Sequence, residues 1–198
     1  MGNEDSLENL RKTILLSTAL NERSLSELQK LFTLNLMQEN DFFLRSGEYP
    51  VHFAFVHQGV IKSFVTDQKG REIIRGFFVP GMFALPLPAF IYRKPSFLSF
   101  QAVTPCTILI AKYSDIQALA QNDHSIHLLV RLLIEKEWIV NRELHDAGLY
   151  VYNSQTRYRL FREKYRTFID QIPDRLVGSF LNIPLNTLER IRKESARQ

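Results

Sequence analysis

The sequence predicts an α+β protein: an antiparallel sandwich or barrel in the first half, one long helix, and a short basic helical tail. Three observations carry this. Between Phe42 and Lys112, short apolar runs recur with turn residues between them, the pattern of many short antiparallel strands. From Asp123 to Tyr152, apolar residues recur at steps of four and three (Ile126, Val130, Leu133, Val140, Leu144, Ala147, Val151), with only Glu137 breaking the series. That is a helical seam of roughly 30 residues, long for a small domain. From 156 to 198, ten Lys or Arg stand against five Asp or Glu, whereas the whole chain carries only +4.

The chain's 198 residues suffice for one or two domains with a real core. Apolar residues make up 45% and charged residues 23%, an ordinary balance for a soluble protein. No apolar run approaches a membrane span, and Asp5 and Glu8 sit where a signal peptide would be basic. The expected location is cytoplasmic, with no membrane partner. The single cysteine, Cys106, allows neither an internal disulfide nor a thiolate-ligated cluster. It falls in an apolar strand-like run and reads as a buried thiol. No acid–base or nucleophile constellation stands out, so no enzyme, cofactor or metal is expected.

In chain order, residues 5–20 and 24–33 read as amphipathic helices, the second opened by a capping box of Ser24 with Glu27. Strands follow over 51–56, 60–65, 72–78, 96–103 and 106–112. Ser46-Gly47, Gln58-Gly59, Gln68-Lys69-Gly70 and Pro80-Gly81 separate the earlier runs. Ser114 with Gln117 is expected to cap a short helix ahead of the long one. The long seam is narrow and asks for another helix, most simply its own copy in a homodimer; packing on its own domain is the alternative. Helices are then expected over 155–169, 173–181 and 184–195. Tyr158, Phe161, Tyr165 and Phe168 line one side of the first. Asn182 makes the turn between the last two, because Asn tolerates the left-handed conformation. Gly178 lets those two helices cross closely. That is the layout of a helix-turn-helix.

This order of parts resembles the Crp/Fnr family of bacterial transcription regulators. The pieces that carry the resemblance are the glycine-punctuated strands (Gly47, Gly59, Gly70, Gly81) and the run from Gly178 through Asn182, Leu185, Asn186, Thr187 and Arg190 to Lys193. The resemblance implies an antiparallel β-roll (jelly-roll-like) of the cyclic-nucleotide-binding type with N-terminal helices over 1–122. It further implies a dimerisation helix over 123–153 and a helix-turn-helix domain over 154–198 without a complete wing.

Relatives that bind cyclic AMP hold its phosphate with a Gly-Glu-Leu segment and an Arg-Ser pair ten residues on. Aligned without gaps from Gly81 to Tyr113, the Glu position is Pro86, and the Arg and Ser positions are Ser96 and Phe97. Phe cannot replace a charge-assisted bond to phosphate, and Pro86 and Pro88 lack backbone N–H groups. The adenine-reading positions fall at Asn141 and Arg142. The expected pocket (Phe83, Pro86, Ser96, Phe97, Asn141, Arg142) would therefore take an effector other than cyclic AMP, or none. Arg93 or Lys94 could still meet an anion. A haem or iron–sulfur sensor is not supported: the five histidines include only one helical pair, His124 and His127, which reads as ordinary helix surface.

By the same resemblance, the last helix enters the major groove of double-stranded DNA. Leu185, Asn186 and Arg190 match the base readers; Arg190 suits guanine, Asn186 adenine and Leu185 a thymine methyl. Thr187, Arg192, Lys193 and Arg175 are the phosphate candidates. The expectation is a homodimeric DNA-binding regulator. The rival expectation is a ligand-binding or protein-interaction dimer whose tail no longer reads DNA.

Overall fold

The computed structural model describes residues 2–135, 139 and 141–195, the side chains of 141 and 195 excepted. Glu137 and Val140 of the predicted seam lie outside them. The chain begins with helices α1 (Gly2–Ser17) and α2 (Glu22–Gln29). Asn21 caps α2, its side chain accepting the Ser24 N–H at 2.9 Å. The predicted box placed the start three residues late: Ser24 lies inside the helix and its hydroxyl donates to Asp123 at 2.5 Å. Nor does the helix continue to residue 33, because Thr33–Met37 is already the first strand, β1.

The remaining strands are β2 (Phe42–Leu44), β3 (His52–Gln58), β4 (Ile61–Thr66), β5 (Glu72–Phe78), β6 (Phe83–Ala84), β7 (Ser99–Ala102) and β8 (Cys106–Lys112). All pairings are antiparallel, and they form two four-stranded sheets ordered β1-β8-β3-β6 and β2-β7-β4-β5. The four turn glycines all have positive φ. Only Gly59 is also crowded: a Cβ there would stand 2.4 Å from the Pro105 carbonyl oxygen, so no other residue fits. Helix α3 (Leu87–Tyr92) interrupts the strands.

Helix α4 (Tyr113–Asn122) follows β8 directly, without the expected Ser114 cap. Asp123 then caps α5 (His124–Leu133), accepting from Ser125 N–H at 2.9 Å. The expected single long helix is two α-helical stretches. Ile134, Glu135 and Ile139 have the wider π-helical winding, and α6 runs over Asn141–Val151. The tail comprises α7 (Ser154–Lys164), a 3-10 turn at Ile169–Gln171, α8 (Asp174–Leu181) and α9 (Leu185–Ser195). The first tail helix thus stops at Lys164 rather than 169.

Three cores stack through the molecule. Between the sheets lie Val56, Ile61, Phe100 and Ile108, with Cys106 buried among them. Outside the first sheet, α1, α2, α4 and α5 bury Leu10, Ile14, Ile126 and Leu129 on Phe53 and Phe55. Outside the second sheet, the tail helices bury Phe161, Tyr165 and Phe180 on Phe64, Ile74 and Phe77. The predicted helical seam divides accordingly: Ile126 packs on its own domain, whereas Leu144 (67% exposed) and Val151 (74%) face outward. No helix among the described residues is long and apolar enough to cross a membrane.

Candidate functional site: the tail helices and their junction with the roll

A three-residue turn, 182–184, joins α8 to α9. Asn182 takes the left-handed conformation (φ 51°, ψ 51°), where Asn substitutes for Gly at least cost. The Ile183 N–H reaches back to the Gly178 carbonyl at 2.9 Å. A Cβ on Gly178 would stand 2.8 Å from the Ile183 carbonyl oxygen, so glycine lets the turn close against α8. Arg157 on α7 donates to the Leu181 carbonyl at 2.8 Å, satisfying one of the orphan acceptors at the end of α8.

Leu188 and Ile191 are buried and fix the roll angle of α9. The face this leaves outward carries Leu185, Asn186, Arg190 and Lys193, all exposed, with Thr187 half-buried beside them. Asn186 Oδ1 accepts the Thr187 N–H at 2.7 Å, and Arg190 pairs with Glu194 at 3.1 Å. Arg175 is exposed on α8. Arg192 differs from its neighbours. It is bound within the tail by Asp174, by the Tyr158 hydroxyl at 3.0 Å and by Asp170 at 3.8 Å. Arg190 pairs only along its own exposed helix face, whereas Arg192 is tied across the tail to Asp174, Asp170 and Tyr158.

The tail sits on β5, an edge strand. Ser179 Oγ accepts from the Ile74 N–H at 3.1 Å and donates to the Glu72 carbonyl at 3.0 Å. A β-bulge supplies a second tie. Ser63 pairs with Gly76 but Phe64 pairs with Ile74, leaving Arg75 without a partner residue. The bulge frees the Arg75 carbonyl, and Arg142 of α6 donates to it at 2.9 Å. Asp146 then receives Arg142 at 3.0 Å and Arg75 at 3.6 Å. One turn along, His145 stacks on Phe180 of α8. Burial pushes the His145 pKa down; Asp146 opposes this and Arg75 and Lys164 add to it.

Around these residues is a cavity of about 100 Å³, lined by Phe78 and Phe83 of the roll, by Arg142 and His145 of α6, and by Tyr165 and Phe180 of the tail. A larger hollow of about 360 Å³ lies between α6 and the tail, next to Leu144, Gly148 and Leu160. Of the predicted pocket set, the structure brings together only Phe83 and Arg142. Pro86 is buried at the start of α3, and Ser96 closes on its own loop, accepting from Leu98 N–H at 3.1 Å and donating to the Leu98 carbonyl at 2.8 Å. Phe97 points to solvent (59% exposed). The Asn141 side chain lies outside the described residues. The His124 and His127 rings lie 6.4 Å apart, and no cluster of metal-ligating side chains occurs among the described residues. His145, Arg75 and Asp146 escaped the sequence reading; the adjacent Phe77 and Phe78 were the available signal, since neighbours on a strand face opposite sides and both sides must then be covered.

Residues 35–123 match the cyclic nucleotide-binding domain family. No curated protein matches the chain by sequence. Among solved structures, FixK2 from Bradyrhizobium japonicum is similar at a TM-score of 0.72 and 19% identity, over 84% of this chain and 85% of that one. The c-di-GMP-responsive global regulator CLP of Xanthomonas campestris gives 0.68 and 12% identity, over 89% and 92%. A cyclic nucleotide-binding domain from Methylobacillus flagellatus gives 0.64 and 12%, over 77% and 88%. At these identities the likeness is one of fold. The α+β, antiparallel roll expected from the sequence is the fold this chain has.

Proposed function

We propose that this protein is a homodimeric, DNA-binding transcription regulator whose roll answers to an effector other than cyclic AMP. The observation that carries this is the presentation of α9. A left-handed Asn, a crowded Gly and two buried apolar residues hold the helix so that Asn186, Arg190 and Lys193 stand free of the body. A helix displayed in this way by a preceding short helix suits the major groove. Arg190 would read guanine and Asn186 adenine, Leu185 would meet a thymine methyl, and Thr187, Lys193 and Arg175 would meet phosphates. Similarity in fold to a global regulator supports the same reading.

The outward Leu144, Ala147 and Val151 of α6 would pair with the same helix of a second copy. The cavity at the junction favours an effector smaller than a nucleotide: its 100 Å³ is well below the several hundred usual for drug-sized ligands. Its walls belong to roll, α6 and tail together. An occupant that fits one placement of the tail better than another would shift the balance between them.

A second reading has its own support. With Arg192 clasped inside the tail and Leu185 apolar at a base-reading position, the tail also suits a dimer that binds a ligand or a protein but not DNA. Selection of bound sites from random duplex DNA at two salt concentrations separates them. A two-fold-symmetric motif with a steep salt slope supports the regulator; no enrichment, with a dimer still present in sedimentation, supports the second reading.

A further inference from the structure

Helix α7 has two unlike sides. Tyr158 and Phe161, with Tyr165 at its end, are buried on the roll. On the flank beside them, Gln155, Arg159 and Arg162 of α7, followed by Arg166 in the turn just past its end, recur at steps of four, three and four, and all are exposed. Those steps place Gln155, Arg159 and Arg162 along one flank of α7.

This row borders a groove of about 720 Å³ whose other wall is Ile191 and Glu194 of α9. Two hydrogen bonds hold that geometry: Arg192 Nε donates to the Tyr158 hydroxyl at 3.0 Å, and Gln155 Nε2 to Glu194 at 3.3 Å. The row therefore keeps a fixed offset from the exposed face of α9. Arg162 and Arg166 form no ion pair among the described residues. Arg159 meets Glu163 at 2.9 Å with both side chains mostly exposed, a pairing too weak to withhold it from a stronger anion.

We propose that Arg159, Arg162 and Arg166 form a backbone clamp for duplex DNA, gripping the phosphates of one strand while α9 lies in the neighbouring groove. This rests on reading α9 as the DNA-contacting helix. Arg159 and Arg162 stand about one turn apart on α7, a rise of roughly 4.5 Å, and Arg166 follows in the turn just past the helix end, so the row outspans a single phosphate step of ~3.4 Å along the axis. Guanidinium groups stay charged and match phosphate with two parallel donors. Glu194 lies between the row and Arg190 and works against the clamp. Its neutralisation is expected to tighten binding.

The test is fluorescence anisotropy with the full chain and a mixed-sequence DNA duplex about two helical turns long, titrated from about 50 to about 200 mM salt. Each phosphate contact removed flattens the slope of log K against log salt by about 0.9. R159Q/R162Q/R166Q is expected to flatten it by about 2 to 3, and Arg162→Gln alone, exposed and unpaired, by about 0.9. K30Q/K94Q/K112Q removes the same charge from the other end of the molecule and is expected to leave the slope unchanged. Glu194→Gln is expected to lower Kd several-fold. Equal slopes for the two triple variants would overturn the clamp while leaving α9 as the DNA helix. Absence of any binding by the unaltered chain would overturn both.

Discussion

His145 lies flat against Phe180, ring centroids 4.1 Å apart and planes 14° from parallel, joining α6 to the helix that precedes the exposed α9. Arg142 and Asp146 share the same helix, Arg75 approaches from β5 and Lys164 lines the same cavity from α7. Burial, with Arg75 and Lys164 against the opposing Asp146, lowers the His145 pKa and favours the neutral imidazole in the folded state. A group whose folded pKa is depressed stabilises the fold fully above its unfolded value, and that stabilisation shrinks as pH falls below it. The junction should therefore weaken from about pH 6.5 downward. Thermal unfolding across this range should show a fall in Tm that is smaller in His145→Phe; equal falls would rule out His145 as the titrating group.

Gly178→Ala should be destabilising although alanine is the better helix former. The new methyl carbon would meet a backbone oxygen at 2.8 Å, and a backbone cannot step aside as a flexible side chain can. A cost of about 2 kcal/mol is expected, or a Tm lower by roughly 4–8 °C. A Tm equal to that of the unaltered chain would show that the turn relaxes.

Arg190 and Arg192 should behave oppositely. Arg192 is held by Asp174, Asp170 and Tyr158, so Arg192→Ala should cost stability, about 1–2 kcal/mol for hydrogen bonds of a charged group. Arg190 is exposed on the outer face, so Arg190→Gln should leave Tm unchanged. On the regulator reading it should relax base preference at one position by about 1–3 kcal/mol. Site selection and melting curves on the two variants check both halves.

On the reading of α6 as a dimer helix, Leu144→Asp should yield a monomer in sedimentation at unchanged protomer stability. Its side chain is exposed on α6, so the protomer loses no packing, whereas a paired helix would bury two opposed carboxylates. A persisting dimer would move the interface elsewhere.

Asp123 anchors the start of α5, and its carboxyl is held at a pKa of about 2 by hydrogen bonds from the Ser125 and Ser24 hydroxyls. A depressed carboxyl stabilises the fold above its unfolded pKa, and that contribution disappears as pH falls from about 4 toward 2. The double variant S24A/S125A should return the carboxyl toward its ordinary value in an NMR titration. No movement would mean that the backbone N–H groups alone set it.

Much of this was legible in the chain. Alternation and turn glycines located β3, β4, β5 and β8 to within a few residues, and Gly178 with Asn182 located the bend between α8 and α9. The short strands β1, β2 and β6 were missed because their pairing is set by distant partners rather than by local pattern. Within the expected long helix, a heptad reading reports which side chains are apolar but not the change to wider winding at Ile134 and Glu135. Ser96, aligned to the arginine position, closes on Leu98, and Phe97 faces solvent, placements that no local pattern announces. The cations that do converge, Arg75 and Arg142, are brought together by a one-residue bulge that leaves no mark in composition.

Ser179 occupies both a donor and an acceptor on β5, the margin of its sheet, where Arg142 and Tyr165 also take the Arg75 and Phe77 carbonyls. Removing residues 154–198 would uncover that margin together with Phe64, Ile74 and Phe77, and bare sheet edges recruit other strands. The roll produced alone should accordingly self-associate or precipitate. Loss or gain of a tail in descendants of such a gene would require new cover for the same strand, which makes shuffling of the two parts costly however separable their tasks.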